Sequence, residues 1–265
     1  MTVIFERRSS ASAIWARRLA IFSAVLLVTS TAGHRFGFVG SLPFFWLLGI
    51  VAGLALCALV LAGVGFAMLW KYGSRGGRAS TRAVLIALAV FLPFGFAIYQ
   101  MFTLPRLTDI STDTLDPPEF VHAPALRTSD MNPIVPISLE VADAQIAYYP
   151  AATGRRYPLP VHRTHDIVSA VIENLGWSVT RDPGLQLETS EITIEALARS
   201  PVFGFISDVA IRIVDEGETS YIDMRSVSRH GLHDLGDNAT KIARFFDGVE
   251  AEIRARNAPL IQRIE

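Results

Sequence analysis

Three long apolar runs near the front of the chain restrict it more than any other feature. They cover Leu19 to Gly33, Leu42 to Trp70 and Ala83 to Phe102. The second and third reach the roughly 20 residues that cross a hydrocarbon core, and neither contains a charged side chain. Both predict transmembrane helices. The first run is shorter, but Arg17, Arg18 and Arg35 can snorkel from its ends, so it predicts a retained anchor. A cleaved secretory signal fits less well, because more apolar helices follow it. A 265-residue chain that is 51% hydrophobic is explained by this front segment alone.

Charge divides the chain at the same place. Residues 1 to 102 hold nine Lys or Arg and a single acid, Glu6, whereas residues 103 to 265 hold fifteen against twenty-four. An acidic second half argues against nucleic acid, which needs a basic face. Arg7, Arg8, Arg17 and Arg18 precede or open the first helix, and Lys71, Arg75, Arg78 and Arg82 lie between the second and third. Positive residues favour the cytoplasmic side. The expected topology has a cytoplasmic N-terminus and, after three crossings of a bacterial inner membrane, a periplasmic C-terminal part. Cys57 is the only cysteine and falls within the second run, so the external part is expected to hold no internal disulfide.

The membrane segment carries few chemical signals. Gly49 and Gly53 form a GxxxG that predicts a small-residue face within a three-helix anchor. Pro93 predicts a kink in the third helix, and the runs hold no carboxylate, lysine or histidine of the kind that marks a transport path.

From residue 103 to 136 six prolines, Pro105, Pro117, Pro118, Pro124, Pro133 and Pro136, predict an extended linker without regular elements. Asp109, Asp113 and Asp116 have no EF-hand spacing and predict Asx-type turns in place of a calcium loop. Residues 137 to 265 then predict a folded domain. Ser138 is placed to cap a short helix, SLEVADAQIAYY. Arg156 to Arg163 predicts an edge strand, and Thr164 a cap for a helix that puts Ile167, Val168, Val171, Ile172 and Leu175 on one face. Trp177 to Arg181 and Leu185 to Ser190 predict a hairpin across DPG. Phe203 to Val214 alternates, with Val209, Ile211 and Ile213 on one side and Asp208, Ala210 and Arg212 on the other. Ser220 to Ser228 is its partner, and a helix from Leu235 closes the domain around Ile242, Phe245, Phe246, Val249 and Ile253. The order β-α-β-β-β-β-α defines a membrane-anchored α+β protein, an antiparallel sheet with helices on one face.

The run DMRSVSRHGLHDLGDNATKIARF, together with FGFISDVAIRI, the pair Gly176 and Trp177, and DISTD after a three-helix anchor, resembles the domain of unknown function 1499 family (DUF1499). The resemblance implies an architecture and an address and no activity. The chain departs from the family pattern in having Ser207 and Asp208 where paired aspartates are usual, and in having His230 and His233.

The most polar stretch, Asp223 to Asn238, admits several readings. Ser226, His230 and Asp234 are the residue types of a hydrolytic triad, but there is no G-x-S-x-G elbow and no spacing that fixes their geometry. His230, His233, Asp234 and Asp237 match no metal-ligand spacing. No catalytic residue, metal or cofactor is assigned, and an enzyme is the less favoured class. A structural corner explains most of the residues: Arg212 lies where it can pair with Asp223 across strands, and Asp234 sits at an N-cap position with Asp237 in the following turn. The binding alternative uses Arg225, Ser226, Ser228, Arg229 and Asn238 to hold a small anionic ligand, an envelope component or a protein partner beside the free N–H groups of the last helix. A membrane-anchored hydrolase using this corner and a purely structural envelope protein are the other two readings.

Overall fold

A computed structural model describes residues 10–185 and 190–257. The chain forms two compact units. One holds the residues up to Tyr99 with Val202–Gly204, and the other holds Gln100–Pro201 with Phe205 onward.

The first unit is built on three helices, α1 (Ala11–Arg35), α2 (Ser41–Tyr72) and α3 (Gly77–Thr103), each long and apolar enough to cross a membrane. Helix α1 is longer than its apolar run suggested. The Ser10 hydroxyl caps it by accepting from the Ala13 N–H, so the helix starts eight residues before Leu19 and carries Arg17 and Arg18 within it. Helix α2 stops where Gly73 takes a left-handed φ of 62°, a conformation that costs a glycine little. Helix α3 runs without interruption through Pro93. Buried alanines, Ala16, Ala20, Ala58, Ala62 and Ala83, form one seam between the helices. Gly65 belongs to the same contact, since a Cβ there would lie 2.5 Å from the Ser80 hydroxyl. Small residues at a crossing let backbones approach closely. The GxxxG pair expected to do this does not: a Cβ on Gly49 or Gly53 would meet nothing within 4 Å. Alanines and Gly65 carry the packing because they occupy the helix face turned toward α1 and α3.

The second unit is organised by one sheet. Strands β1 (Asp109–Ser111), β2 (Arg155–Tyr157), β3 (Ser178–Arg181), β4 (Glu191–Arg199), β5 (Ile206–Asp215) and β6 (Ser220–Ser228) are antiparallel to every neighbour, in the order β1-β6-β5-β4-β3. Strand β2 shares the outer edge of β6 with β1: Arg155 faces Ile222, and Asp109 faces Val227. Helices α4 (Leu139–Tyr148), α5 (Val161–Asn174) and α6 (Asp237–Asn257) complete the unit.

The observed order from β2 onward is the expected β-α-β-β-β-β-α. One sheet face carries Ile192, Ile194, Val209, Ile211, Ile213, Ile222 and Met224, and it packs against Ile167, Val168, Val171 and Ile172 of α5 and Ile242, Phe245, Phe246 and Val249 of α6. The two helices meet closely at Gly248, where a Cβ would approach the Val171 side chain to 2.9 Å.

Several boundaries differ from expectation. Ser138 caps α4 as predicted, accepting from Val141 N–H at 3.3 Å. Helix α5 starts earlier than Thr164, because Pro160 is its N-cap; Thr164 lies in the first turn and its hydroxyl bonds to Pro160 O and Ser220 Oγ. The edge strand accordingly ends at Tyr157 rather than Arg163. Residues 186–189 of the expected DPG hairpin lie outside the described residues. The partner of β3 is β4, whose alternation of Ile192, Ile194, Ala196 and Ala198 toward the core is the strand signal.

The largest difference concerns the proline-rich segment. It contributes β1 and a 3-10 turn at Ala123–Leu126, and Leu107, Ile110 and Ala123 are buried. Prolines exclude helices and central strands, but β1 is a three-residue edge strand placed between them. After β1 the segment crosses the sheet face opposite α5 and α6 and is fixed there by side chains. Glu195 of β4, 1% exposed, accepts hydrogen bonds from the N–H groups of Val121, His122 and Ala123 at 2.8 to 3.1 Å. The segment is a strap, and the sheet is covered on both faces.

Candidate functional site

Strand β6 carries the polar stretch, and its alternation separates the candidate residues onto two faces. Asp223 and Arg225 point to the strap side, whereas Ser226 and Ser228 point to the helix side.

On the strap side the guanidiniums of Arg212, Arg225 and Arg229 are each met by a carboxylate. Arg212 of β5 donates to both oxygens of Asp223 directly across the strands, at 2.6 to 3.2 Å, and to Asp116 of the strap at 2.8 Å. This is the expected cross-strand pair. Hydrogen bonding to Asp223 holds Arg212 above the usual guanidinium range, while burial pushes the Asp223 carboxyl upward. Arg225 grips Asp109 of β1 with Nε at 3.1 Å and Nη2 at 2.7 Å, and Nη2 also donates to Val135 O at 2.7 Å. Its guanidinium lies over the Phe120 ring, 5.6 Å from the centroid. Arg229 donates to both oxygens of Asp208 at 2.7 to 3.2 Å. Asp208 also receives Arg127 of the strap, at 2.6 and 2.9 Å. One buried carboxylate thus holds two buried guanidiniums. Burial pulls the Arg127 pKa below its ordinary value, and the Asp208 charge opposes that pull.

On the helix side Asn238 gathers the serines. Ser226 Oγ donates to Asn238 Oδ1 at 2.8 Å, and Asn238 Nδ2 donates to Ser228 Oγ at 2.9 Å and to Thr108 O at 3.0 Å. Asn238 is in the first turn of α6, so it joins that helix to β6 and to the residue before β1. Asp234 was expected at the N-cap position; that position is Gly236, and the Asp234 carboxylate caps the helix start from two residues earlier, accepting from Gly236 and Asn238 N–H groups at 3.0 Å. Burial raises its carboxyl above the usual range. The helix proper starts at Asp237, two residues later than expected, because Leu235 takes a positive φ of 55° and Gly236 one of 77°. A side chain with positive φ is strained, and here neighbours on both sides fix it. Leu235 N–H donates to His233 Nδ1 at 2.9 Å, and Leu235 O accepts from Gln100 Nε2 at 3.3 Å.

The candidate residues are therefore all located, and all are occupied. Arg225 and Arg229 stand on different carboxylates, and an incoming anion would have to displace Asp109 and Val135 O, or Asp208, to reach them. The triad residues are not joined: Ser226 is bonded to Asn238, His230 Nε2 lies 3.5 Å from Asp130, and Asp234 caps α6. No group of three potential metal ligands occurs among the described residues. In the strap Asp113 Oδ1 accepts from the N–H groups of Leu115 and Asp116, the Asx turn expected there, while Asp109 and Asp116 serve arginines.

Sequence reasoning missed several partners. Lys241 is 5% exposed and donates to Ser207 Oγ at 2.9 Å, with Asp237 as its counter-ion one turn back. Its i, i+4 spacing to Asp237 was the available signal. Arg127 and Glu195 gave none, because their partners lie 81 and about 73 residues away in sequence. A separate groove of about 460 Å³ opens beside the strap, lined by Asp116, Glu119, Arg181, Glu191, Thr193 and Arg212 among others.

These features define a class: an α+β domain with a strapped sheet, preceded by three helices able to span a membrane. Residues 109–249, more than half of the chain, match the family model "Protein of unknown function (DUF1499)", and the chain belongs to that family. The match covers β1 through most of α6 and leaves the three helices outside it. No curated protein matches the chain. The crystal structure of TTHA0849 from Thermus thermophilus aligns over 40% of this chain and 97% of its own, at 11% identity and a TM-score of 0.23, a likeness too slight to inform fold or function.

Removing the Asp208 charge should be costly, since Asp208→Asn leaves two buried guanidiniums facing each other. A loss of about 3 to 5 kcal/mol is expected, read as faster amide exchange across β5 and β6; parental protection would contradict the pairing. Lys241 predicts a pH effect. Burial lowers its pKa below the ordinary 10.5, so the folded chain binds that proton less tightly than the unfolded chain, and this group adds stability as pH rises toward that value. Lys241→Met should flatten the rise in urea midpoint between neutral pH and about pH 10; an unchanged slope would exclude Lys241 as its source.

Proposed function

We propose that this protein is an inner-membrane protein of the bacterial envelope whose domain, on the periplasmic side, binds a polar envelope component. The three apolar helices and the distribution of Lys and Arg around them support the address and the cytoplasmic N-terminus. The observation that carries binding is the groove beside the strap. The carboxylates of Glu119 and Glu191 line it with no side-chain hydrogen bond or ion pair among the described residues, whereas the arginines of the corner are neutralised at close range. Arg181 also lines it and spends one N–H on Thr193 O, leaving further donors for a ligand. Such a surface suits a ligand carrying an amine for the carboxylates and an anionic group for Arg181. This moves the ligand from Arg225 and Arg229 to the groove. The corner, with Ser226, Ser228 and Asn238, becomes the scaffold that holds the strap in place.

Two measurements test the proposal. Reporter fusions after Phe102 should be active only outside the cytoplasm, and a cytoplasmic signal would refute the address. Native mass spectrometry of the full-length protein from membranes should show an adduct that a folded Glu119→Gln, Glu191→Gln double variant loses. An adduct kept by that variant and lost by Arg225→Ala, Arg229→Ala would return the site to the corner.

A further inference from the structure

The polar corner has a second side, turned away from the sheet, and its contacts there are unusual. The second compact unit begins at Gln100, within the last turn of α3. Loop residues 232–235 are tied to the residues that follow by four hydrogen bonds. Gln100 Nε2 donates to Leu235 O at 3.3 Å, His233 Nε2 to Leu104 O at 3.2 Å, Arg106 Nε to Leu232 O at 3.3 Å, and Asp234 N–H to Leu107 O at 2.9 Å. His233 can act on both sides because its Nδ1 accepts from Leu235 N–H, which leaves the proton on Nε2 for Leu104. Gly236 adds a close approach, since a Cβ there would lie 2.8 Å from Leu104 Cδ1. The loop is thereby fixed to residues 100–107 of the same unit.

Two exposed side chains of opposite character lie together at this place. Leu232 is 70% exposed although every neighbouring part of the loop is bonded down. Arg106 is exposed, and no carboxylate pairs with it among the described residues. Tyr99 and Phe102, both exposed, precede them, as aromatic side chains do where an apolar helix leaves the hydrocarbon.

We propose that the 231–236 corner is an interfacial foot, with Leu232 seated at the boundary between headgroups and acyl chains and Arg106 on a lipid phosphate. The occupant is the surface of the bilayer that α3 crosses. The apolar part of α3, Ala83 to Phe102, is about 30 Å long, which places Thr103 to Arg106 in the headgroup layer and carries Leu232 with them. A leucine and an arginine side by side suit that layer, one taking the acyl boundary and the other the phosphates. The foot rests on the membrane reading above, and it gives the corner a purpose beyond joining β6 to α6.

The test uses the full-length protein carrying Cys57→Ser, in vesicles of phosphatidylethanolamine and phosphatidylglycerol with lipids brominated just below the headgroups and, for the probe in α3, lipids brominated near the ends of the acyl chains. An environment-sensitive fluorophore is placed on one introduced cysteine at a time, at Leu232→Cys, Leu92→Cys in α3, or Leu115→Cys, a 91% exposed strap position. The foot requires the probe at 232 to emit to the blue of the probe at 115 and to lose most of its intensity to the brominated lipid, with 115 unaffected. If 92 is quenched while 232 behaves like 115, the anchor stands and the foot is wrong. If 92 also stays unquenched, the membrane reading fails and takes the foot with it.

Discussion

Asp208 between Arg127 and Arg229 is the contact on which the arrangement of the second unit depends. All three side chains are almost fully buried, so their charges are expensive to leave unmatched. Each comes from a different part of the chain: the strap, the middle of the sheet, and the residue just past β6. Meeting at one carboxylate fixes the strap across the sheet and the exit of β6 together. The desolvation cost makes the contact selective as well as cohesive, because any other strap register would leave at least one of the charges buried alone.

The rest of the strap face repeats this logic with other partners. Glu195 collects three backbone N–H groups, Arg212 joins Asp223 to Asp116, and Arg225 joins Asp109 to Val135. A segment with six prolines cannot supply a full ladder of backbone hydrogen bonds, so side chains supply them instead. The helix face follows the more ordinary rule, with branched aliphatic and aromatic side chains closing around α5 and α6. The sheet is therefore held by apolar burial on one side and by paired charge on the other. The groove lies where the strap pairing gives out toward β3, which is why its carboxylates are open to solvent and those beneath the strap are not.

Legibility in the sequence followed the range of the interactions. The pairing of β5 with β6 was visible because alternation and a four-residue turn are local, and Arg212 with Asp223 followed from it. The caps at Ser138 and Asp234 were visible for the same reason. The partner of β3 was less legible, because the turn at DPG pointed to Leu185 to Ser190 as the pairing run, whereas β4, which begins at Glu191, holds that place by burying Ile192 and Ile194. Thr164 has the residue type of a cap, yet Pro160 with its fixed φ opens the helix one turn earlier.

The sequence by itself determined that three helices can cross a membrane, that an α+β domain follows, and that one face of its sheet is apolar. Those properties depend on length, composition and periodicity, which a linear chain carries in full. Only the tertiary structure decided that the proline-rich segment is a strap, that Arg225 and Arg229 are neutralised, and that Gly65 rather than Gly49 and Gly53 meets a neighbouring helix. Charge pairing and close packing depend on which residues come within a few ångströms, and here the partners are separated by some 70 to 120 positions, or by a helix rotation that composition does not encode.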